Sequence, residues 1–371
     1  MNRPALNGTQ CAAVLGRSLY LLGLRPRGAG RILPTGPGHR HRTVLSAPVF
    51  ETDGRPGEIV LKFCLSPTPA EEANLRWEHQ VTVALHGIAD VCLARDAISY
   101  NPIPETLLDV PLEFPLNGES VVVSVRRFVP DVFEPLTARS LGQLIGTLHH
   151  IGSSEAALAL LDGRPATSLG GLDAALLARA LASPTHPFHA RPAVVAALIK
   201  ALQDRVTGAL EADPRPLLVH RDLHPLNCVA GPRGAVALDW AEAGWGSRSD
   251  DFSWLQVAVA RYGASPHAIH EARTGYEEVC PGKTPSPEQI CAVGRAREVV
   301  CLAFSIMHAG RGPSHLLEAL RELPILDDPE AMTEQWEALF NPGIFRHPML
   351  VDPENGVFEV TEIDLETVWA G

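Results

Sequence analysis

The chain has no hydrophobic run long enough to cross a membrane. Its apolar stretch near the start, Leu19 to Leu24, contains Tyr20 and Gly23 and falls well short of the roughly 20 residues that a span requires. The same region lacks a clear signal-peptide cleavage pattern, so the expected location is cytoplasmic. No Cys-x-x-Cys pair is present. The seven cysteines (Cys11, Cys64, Cys92, Cys228, Cys280, Cys291, Cys301) are odd in number and scattered, which fits reduced thiols rather than a disulfide framework or a zinc site. Positive charge is in deficit: 31 Lys and Arg against 43 Asp and Glu give a net charge of −12. That balance argues against nucleic-acid binding as a main activity. It is compatible with a cationic substrate, but acidity more commonly serves plain solubility. Internal repeats and long low-complexity runs are also missing. What remains is an ordinary globular composition, 46% hydrophobic and 20% charged over 371 residues. That is ample for a buried core in two or three domain-sized units.

The most informative stretch runs from Leu217 to Asp251. A short apolar strand, Leu217 to Val219, delivers the chain to His220-Arg221-Asp222-Leu223-His224-Pro225-Leu226-Asn227. A turn through Gly231 to Gly234 follows, and a second apolar strand, Ala235 to Leu238, presents Asp239-Trp240. Each piece alone is weak, since His-x-Asp and Asp-Trp occur in loops by chance. In this order, on a strand–loop–strand–loop frame, they resemble the catalytic and metal-binding loops of the protein-kinase-like fold. They are most similar to the aminoglycoside phosphotransferase and choline kinase branch, with its Asp-Leu-His-Pro-x-Asn and Asp-Trp.

The resemblance implies an α+β, two-lobe protein-kinase-like fold, with a small antiparallel-sheet N-terminal lobe and a larger, mostly helical C-terminal lobe. It also implies ATP and Mg²⁺ as cofactors. Phosphoryl transfer passes through a loose, charge-spread transition state, so catalysis is mainly positioning and charge neutralisation. By resemblance Asp222 takes the role of base toward an acceptor hydroxyl. Asn227 and Asp239 supply hard oxygen ligands to the metal, and His224 either touches the transferring phosphate or packs.

In the N-terminal lobe the pattern reads as a leading helix (Cys11 to Leu24), strands either side of a glycine-containing turn, a hairpin at Asp53 to Gly57, and a strand from Glu58 to Cys64. Lys62 on that strand takes the family's phosphate-binding lysine position, a point charge for the α- and β-phosphates. A lone strand lysine is more often solvent-facing, and the apolar context is what singles this one out. A helix from about Ala70 to His86 follows, begun by Thr68 and Pro69. Glu78 is its best match for the partner of Lys62, while Glu71 and Glu72 complement the helix dipole. The turn holding Gly36 and Gly38 would cover the phosphates through backbone amides. It departs from the family by carrying Pro37 and the basic run His39 to Arg42. Residues 91 to 118 read as short strand-like pieces broken by prolines. Ser120 to Phe128 reads as a strand, with backbone from Val125 to Phe128 facing adenine by resemblance.

Beyond it, Thr137 to Ile151 reads as a helix in which His149 is structural. Two further helices are expected at 172–181 and 192–211, then others at 251–262, 267–279 and 287–310. Asp251 is expected to brace the catalytic loop. The tail, 326–371, ends in FEVTEIDLETVW, where acidic and β-branched residues alternate, and would add a strand or cover. The division expected is a nucleotide lobe (1–129), a catalytic and substrate lobe (130–325) and a C-terminal extension packed on the lobe (326–371). Three readings follow. The first is an O-phosphotransferase acting on a small-molecule hydroxyl such as an antibiotic or amino sugar. The second is a kinase for Ser or Thr of a precursor peptide, against which stands the lack of an Ala-Pro-Glu-like segment after Asp239. The third is an inactive binding module. No nucleic-acid or membrane partner is expected, and the oligomeric state is not legible.

Overall fold

The computed structural model describes residues 8–33, 42–95, 100–130, 136–162, 181–186, 189, 200, 217–224, 227–262, 265–308 and 362–363. They fall into two compact units. The first comprises Met1–Val132, Gly231–Ala241 and His347–Gly371, and the second Phe133–Ala230 and Glu242–Arg346.

The first unit is built on an antiparallel sheet. Its strands are β1 (Arg25–Pro26), β2 (Gly30–Leu33), β3 (Arg42–Phe50), β4 (Pro56–Leu65), β5 (Leu112–Leu116) and β6 (Glu119–Arg127). The sheet order is β2-β3-β4-β6-β5, with β1 beside β3 and a short strand from the tail, Glu362–Ile363, on the outer edge of β2. Side chains alternate across a strand with period two, and that alternation sorts the sheet. Leu45, Ala47 and Val49 of β3, Ile59, Leu61 and Phe63 of β4, and Val121, Val123 and Val125 of β6 share one core with Cys11, Val14, Leu15 and Leu19 of helix α1 (Gly8–Leu22). The residues between them turn to the other face. There Cys64 and Val122 pack with Leu75 of helix α2 (Pro69–Arg95). Lys62, Ser124 and Arg126 share this parity, and Lys62 lies opposite Ser124 in the ladder. The strand period therefore puts these polar side chains on the face that meets α2.

Helix α2 opens on a capping box. Thr68 Oγ1 accepts from the Glu71 N–H at 3.3 Å and Glu71 Oε2 accepts from the Thr68 N–H at 2.7 Å. The helix continues to Arg95, nine residues past the expected end. Residues 91–95 are therefore helical rather than strand-like, and among the described residues as far as 118 only Leu112–Leu116 forms a strand, beside a single bridge at Thr106. Leu85, Ala89 and Leu93 are all buried and extend one apolar stripe at helical spacing. No proline interrupts the run until Pro102, and Gly87 is tolerated.

In the second unit, helix α3 (Ala138–Gly152) is capped by Thr137, which accepts from the Ser140 N–H, and is followed by the short α4 (Glu155–Ala159). Strand β7 (Leu217–Val219) leads into the loop of interest and β8 (Cys228–Gly231) leaves it; β9 (Gly234–Ala237), which belongs to the first unit, leads on to Asp239. β10 (Gly244–Gly246) pairs antiparallel with β7. Helices α5 (Ser253–Tyr262), α6 (His267–Val279) and α7 (Pro287–His308) follow. α3 crosses α6 at very close range. A Cβ placed on Gly142 would sit 1.8 Å from the Ala272 carbonyl oxygen, and one on Gly275 2.1 Å from that of Arg139. Glycine is what permits this backbone approach. The expected helices at 172–181 and 192–211 lie almost entirely outside the described residues, as does most of the tail. Among the described residues no helix is long and apolar enough to cross a membrane.

Candidate active site

In the first unit four charges converge. Lys62 Nζ lies 2.8 Å from Glu78 Oε2 and 2.8 Å from Asp239 Oδ1, and Arg126 Nη2 lies 2.7 Å from Glu78 Oε1. Two cations and two carboxylates thus alternate in a chain, Asp239–Lys62–Glu78–Arg126. Glu78 is fully buried and Lys62 nearly so, whereas the Asp239 side chain keeps 28% exposure. Burial raises the Glu78 pKa, but the charges of Lys62 and Arg126 outweigh it and hold the carboxyl below its usual range. His79, the next residue of α2, bridges Ser124 Oγ at 2.9 Å and the Leu108 carbonyl at 3.1 Å, tying helix and sheet together. Asp239 has φ +57, a left-handed backbone conformation rare for a non-glycine residue. Such conformations persist where the surroundings over-determine them, and they cluster at functional sites.

At the end of β6, the N–H groups of Arg127 and Phe128 donate to the carbonyls of Glu105 (2.9 Å) and Glu58 (3.0 Å), and the Val125 carbonyl accepts from the Leu107 N–H at 3.1 Å. These groups are already engaged. A cavity of about 190 Å³ beside Phe128 is also lined by His86, Tyr100, Asn101 and Val236.

In the second unit the loop after β7 is pinned by a buried carboxylate. Asp251 accepts from the backbone N–H of His220 (3.1 Å) and of Arg221 (2.6 Å), and its Oδ2 lies 3.1 Å from His149 Nε2. His149 Nδ1 in turn lies 3.2 Å from the Tyr276 hydroxyl. Burial raises the Asp251 pKa, yet the hydrogen bond and charge of His149 bring it below the ordinary value. Arg221 has φ +68. Its side chain is buried, which pulls its pKa down to about 10, and it donates to the Trp245 carbonyl. Asp251 thus holds two backbone amides of a strained turn in place.

That turn presents Asp222. Asn227 Nδ2 donates to the Asp222 backbone oxygen at 2.8 Å and to Oδ2 at 3.1 Å, and the Trp254 indole N–H donates to Oδ1 at 2.9 Å. His224 Nε2 stands 3.7 Å from Oδ2, and the Asp222 side chain is 26% exposed. With the amide nitrogen of Asn227 committed to Asp222, its carbonyl oxygen is the atom left to face a cation.

The structure thus brings Lys62, Glu78 and Asp239 together in one unit, and Asp222, His224 and Asn227 together in the other. Gly36 and Gly38 lie outside the described residues. Two residues were missed in the sequence, Arg126 and Trp254. The period-two alignment of Arg126 with Lys62 was available as a signal; nothing in sequence marks Trp254 apart from its place three residues after Asp251.

A family model described as the phosphotransferase enzyme family matches residues 45–285. The chain belongs to that family and is a phosphotransferase with an alcohol group as acceptor. Among solved structures it is similar to a spectinomycin phosphotransferase in complex with ADP and spectinomycin, at 15% identity and a TM-score of 0.52 over 88% of this chain and 97% of that one. An amicoumacin kinase in complex with AMP-PNP and Ca²⁺ gives 14% identity and a TM-score of 0.54, covering 87% and 96%. Choline kinase LicA from Streptococcus pneumoniae gives 13% and 0.50, covering 85% and 99%. These likenesses establish the protein-kinase-like fold. No curated protein matches the chain.

Proposed function

We propose that the protein transfers the γ-phosphate of ATP to a hydroxyl of a small molecule of antibiotic or amino-sugar type. The observation that carries this reading is the setting of Asp222, whose carboxylate is held on both oxygens by neutral donors and still keeps a quarter of its surface open. Neutral donors orient a carboxylate without cancelling its charge, so Asp222 can accept the proton of an acceptor hydroxyl as it attacks. Lys62, kept in place by the buried Glu78, is a point charge suited to the α- and β-phosphates. The turn with Gly36 and Gly38 and the strand end from Val125 to Phe128 are assigned to the nucleotide on resemblance alone.

The donor chemistry fits Mg²⁺, which takes oxygen ligands, commonly one or two from protein, and completes its shell with phosphate and water. Asp239 offers a partly exposed carboxylate and Asn227 an amide oxygen. When bound, the metal would neutralise phosphate charge developing in transfer. Lys62 would exchange its ion pair with Asp239 for one with phosphate, freeing that carboxylate. His224 stands close enough to Asp222 to serve the transferring phosphate or to tune the base.

The nearest chemical guide to the acceptor comes from similar folds that bind spectinomycin in one case and are named a choline kinase in another. The test is incubation with γ-labelled ATP, Mg²⁺ and a panel of hydroxyl-bearing antibiotics, amino sugars and choline, followed by mass spectrometry. Label on a small molecule that disappears in Asp222→Asn is the expected result. Label found only on Ser or Thr of a peptide would refute the small-molecule reading.

A further inference from the structure

The indole of Trp254 is more than packing beside the loop. It sits in the first turn of α5 and sends its one N–H to Asp222 Oδ1 at 2.9 Å. The ring is held on two further sides. His224 meets it edge-on, with centroids 5.4 Å apart at 77°, and the Arg297 guanidinium lies 5.3 Å from its centroid. Arg297 is itself buried and anchored, with Nε 3.3 Å from Ser253 Oγ and Nη2 donating to the Arg221 carbonyl. A closed circuit results, from Arg221 through Arg297 and Trp254 to Asp222, which is the next residue after Arg221.

We propose that Trp254 is the positioning residue of phosphoryl transfer in this chain, its indole N–H fixing the plane of the Asp222 carboxylate toward the acceptor hydroxyl. This rests on the reading of Asp222 as base. The indole suits the task because it is a donor only. It can neither take the proton that Asp222 must accept nor neutralise the carboxylate. A cation over the ring is attracted by its π-face, and withdrawing electron density there strengthens the N–H as a donor. Loss of the N–H leaves Oδ1 without its fixed donor, so the carboxylate is free to turn about its own axis.

Trp254→Phe removes the N–H while keeping a ring for His224 and Arg297. The first readout needs no acceptor. In ¹⁵N-tryptophan-labelled protein the indole peak absent from Trp254→Phe belongs to Trp254. It is expected downfield, where a strong hydrogen bond to a carboxylate places an indole N–H, and to move upfield in Asp222→Asn, whose amide oxygen is a weaker acceptor. A peak at the same position in the native protein and in Asp222→Asn overturns the proposal. The second readout is hydrolysis of MgATP with water as acceptor. Trp254→Phe is expected to lower kcat about tenfold, the scale of one hydrogen bond to a charged group, with KM for MgATP unchanged. Native turnover in Trp254→Phe, beside loss in Asp222→Asn, sinks this inference alone. Native turnover in Asp222→Asn removes the base reading beneath it.

Discussion

The two units solve opposite electrostatic problems. In the first, Lys62 and Arg126 face Glu78 and Asp239, and the four charges cancel locally. In the second, Asp222 is gripped by an amide and an indole, both neutral, and its charge is not cancelled by them. On the proposed function, the difference follows from what each would have to do. A group that is to hold a charged nucleotide can be kept in a neutral, buried chain until the ligand exchanges partners with it. A base is to be oriented while staying basic. Charge pairing suits the first, neutral hydrogen bonding the second.

The comparison breaks most visibly at Asp222. Asp222→Asn keeps the shape and the donors but removes the proposed base, and kcat is expected to fall by about 10²–10⁴ with KM for MgATP held. Steady-state kinetics decide it, and a matching rise in KM would move Asp222 to the nucleotide side. Next in size is Glu78→Gln, which leaves two buried cations, Lys62 and Arg126, facing one neutral amide. Breaking a buried pair in this way costs about 3–5 kcal/mol, read as a drop in the urea midpoint. A neutral effect would mean that the charge chain is ornamental.

Gly142→Val tests the second unit's frame by driving a side chain into the Ala272 carbonyl. Overpacking of this kind costs about 1–3 kcal/mol, and Gly142→Ser should cost less. The pH dependence is shared by both units. Glu78 and Asp251 have folded pKa values below their ordinary ones. Their contribution is therefore present above the unfolded carboxylate pKa of about 4 and is lost as pH falls through the lower folded values. Asp251→Asn should flatten the acid side of the stability curve; an unchanged acid limb would contradict the shift. Smallest is Thr68→Ala, about 1 kcal/mol for a lost helix cap, measured by the same denaturation.

The residues with a motif behind them were legible in sequence. His220 to Asn227 and Asp239 stand out because loop chemistry fixes residue type and spacing together. Lys62 and Glu78 were found by position relative to strand and helix, and the ladder explains why that works: a period of two sends Lys62 to the α2 side. Arg126 obeys the same parity but escaped notice, because it was read as part of a strand end rather than a face. Trp254 could not be read at all. Its contact with Asp222 spans 32 residues and depends on how α5 leaves the turn at Asp251. The end of α2 carries no capping or proline signal at Arg95; the buried stripe Leu85, Ala89, Leu93 is what extends it. The helix crossing at Gly142 was equally hidden, since the apolar positions of α3 gave the period but not the closeness.

The most direct test of the whole account is a calorimetric titration of MgATP into the native protein and into Asp239→Ala. Binding that requires Mg²⁺ in the native protein and weakens at least tenfold in the variant is the expected result, because Asp239 is assigned to the metal. Equal, metal-independent affinity in both would contradict the assignment of the Lys62–Glu78–Asp239 chain to the nucleotide.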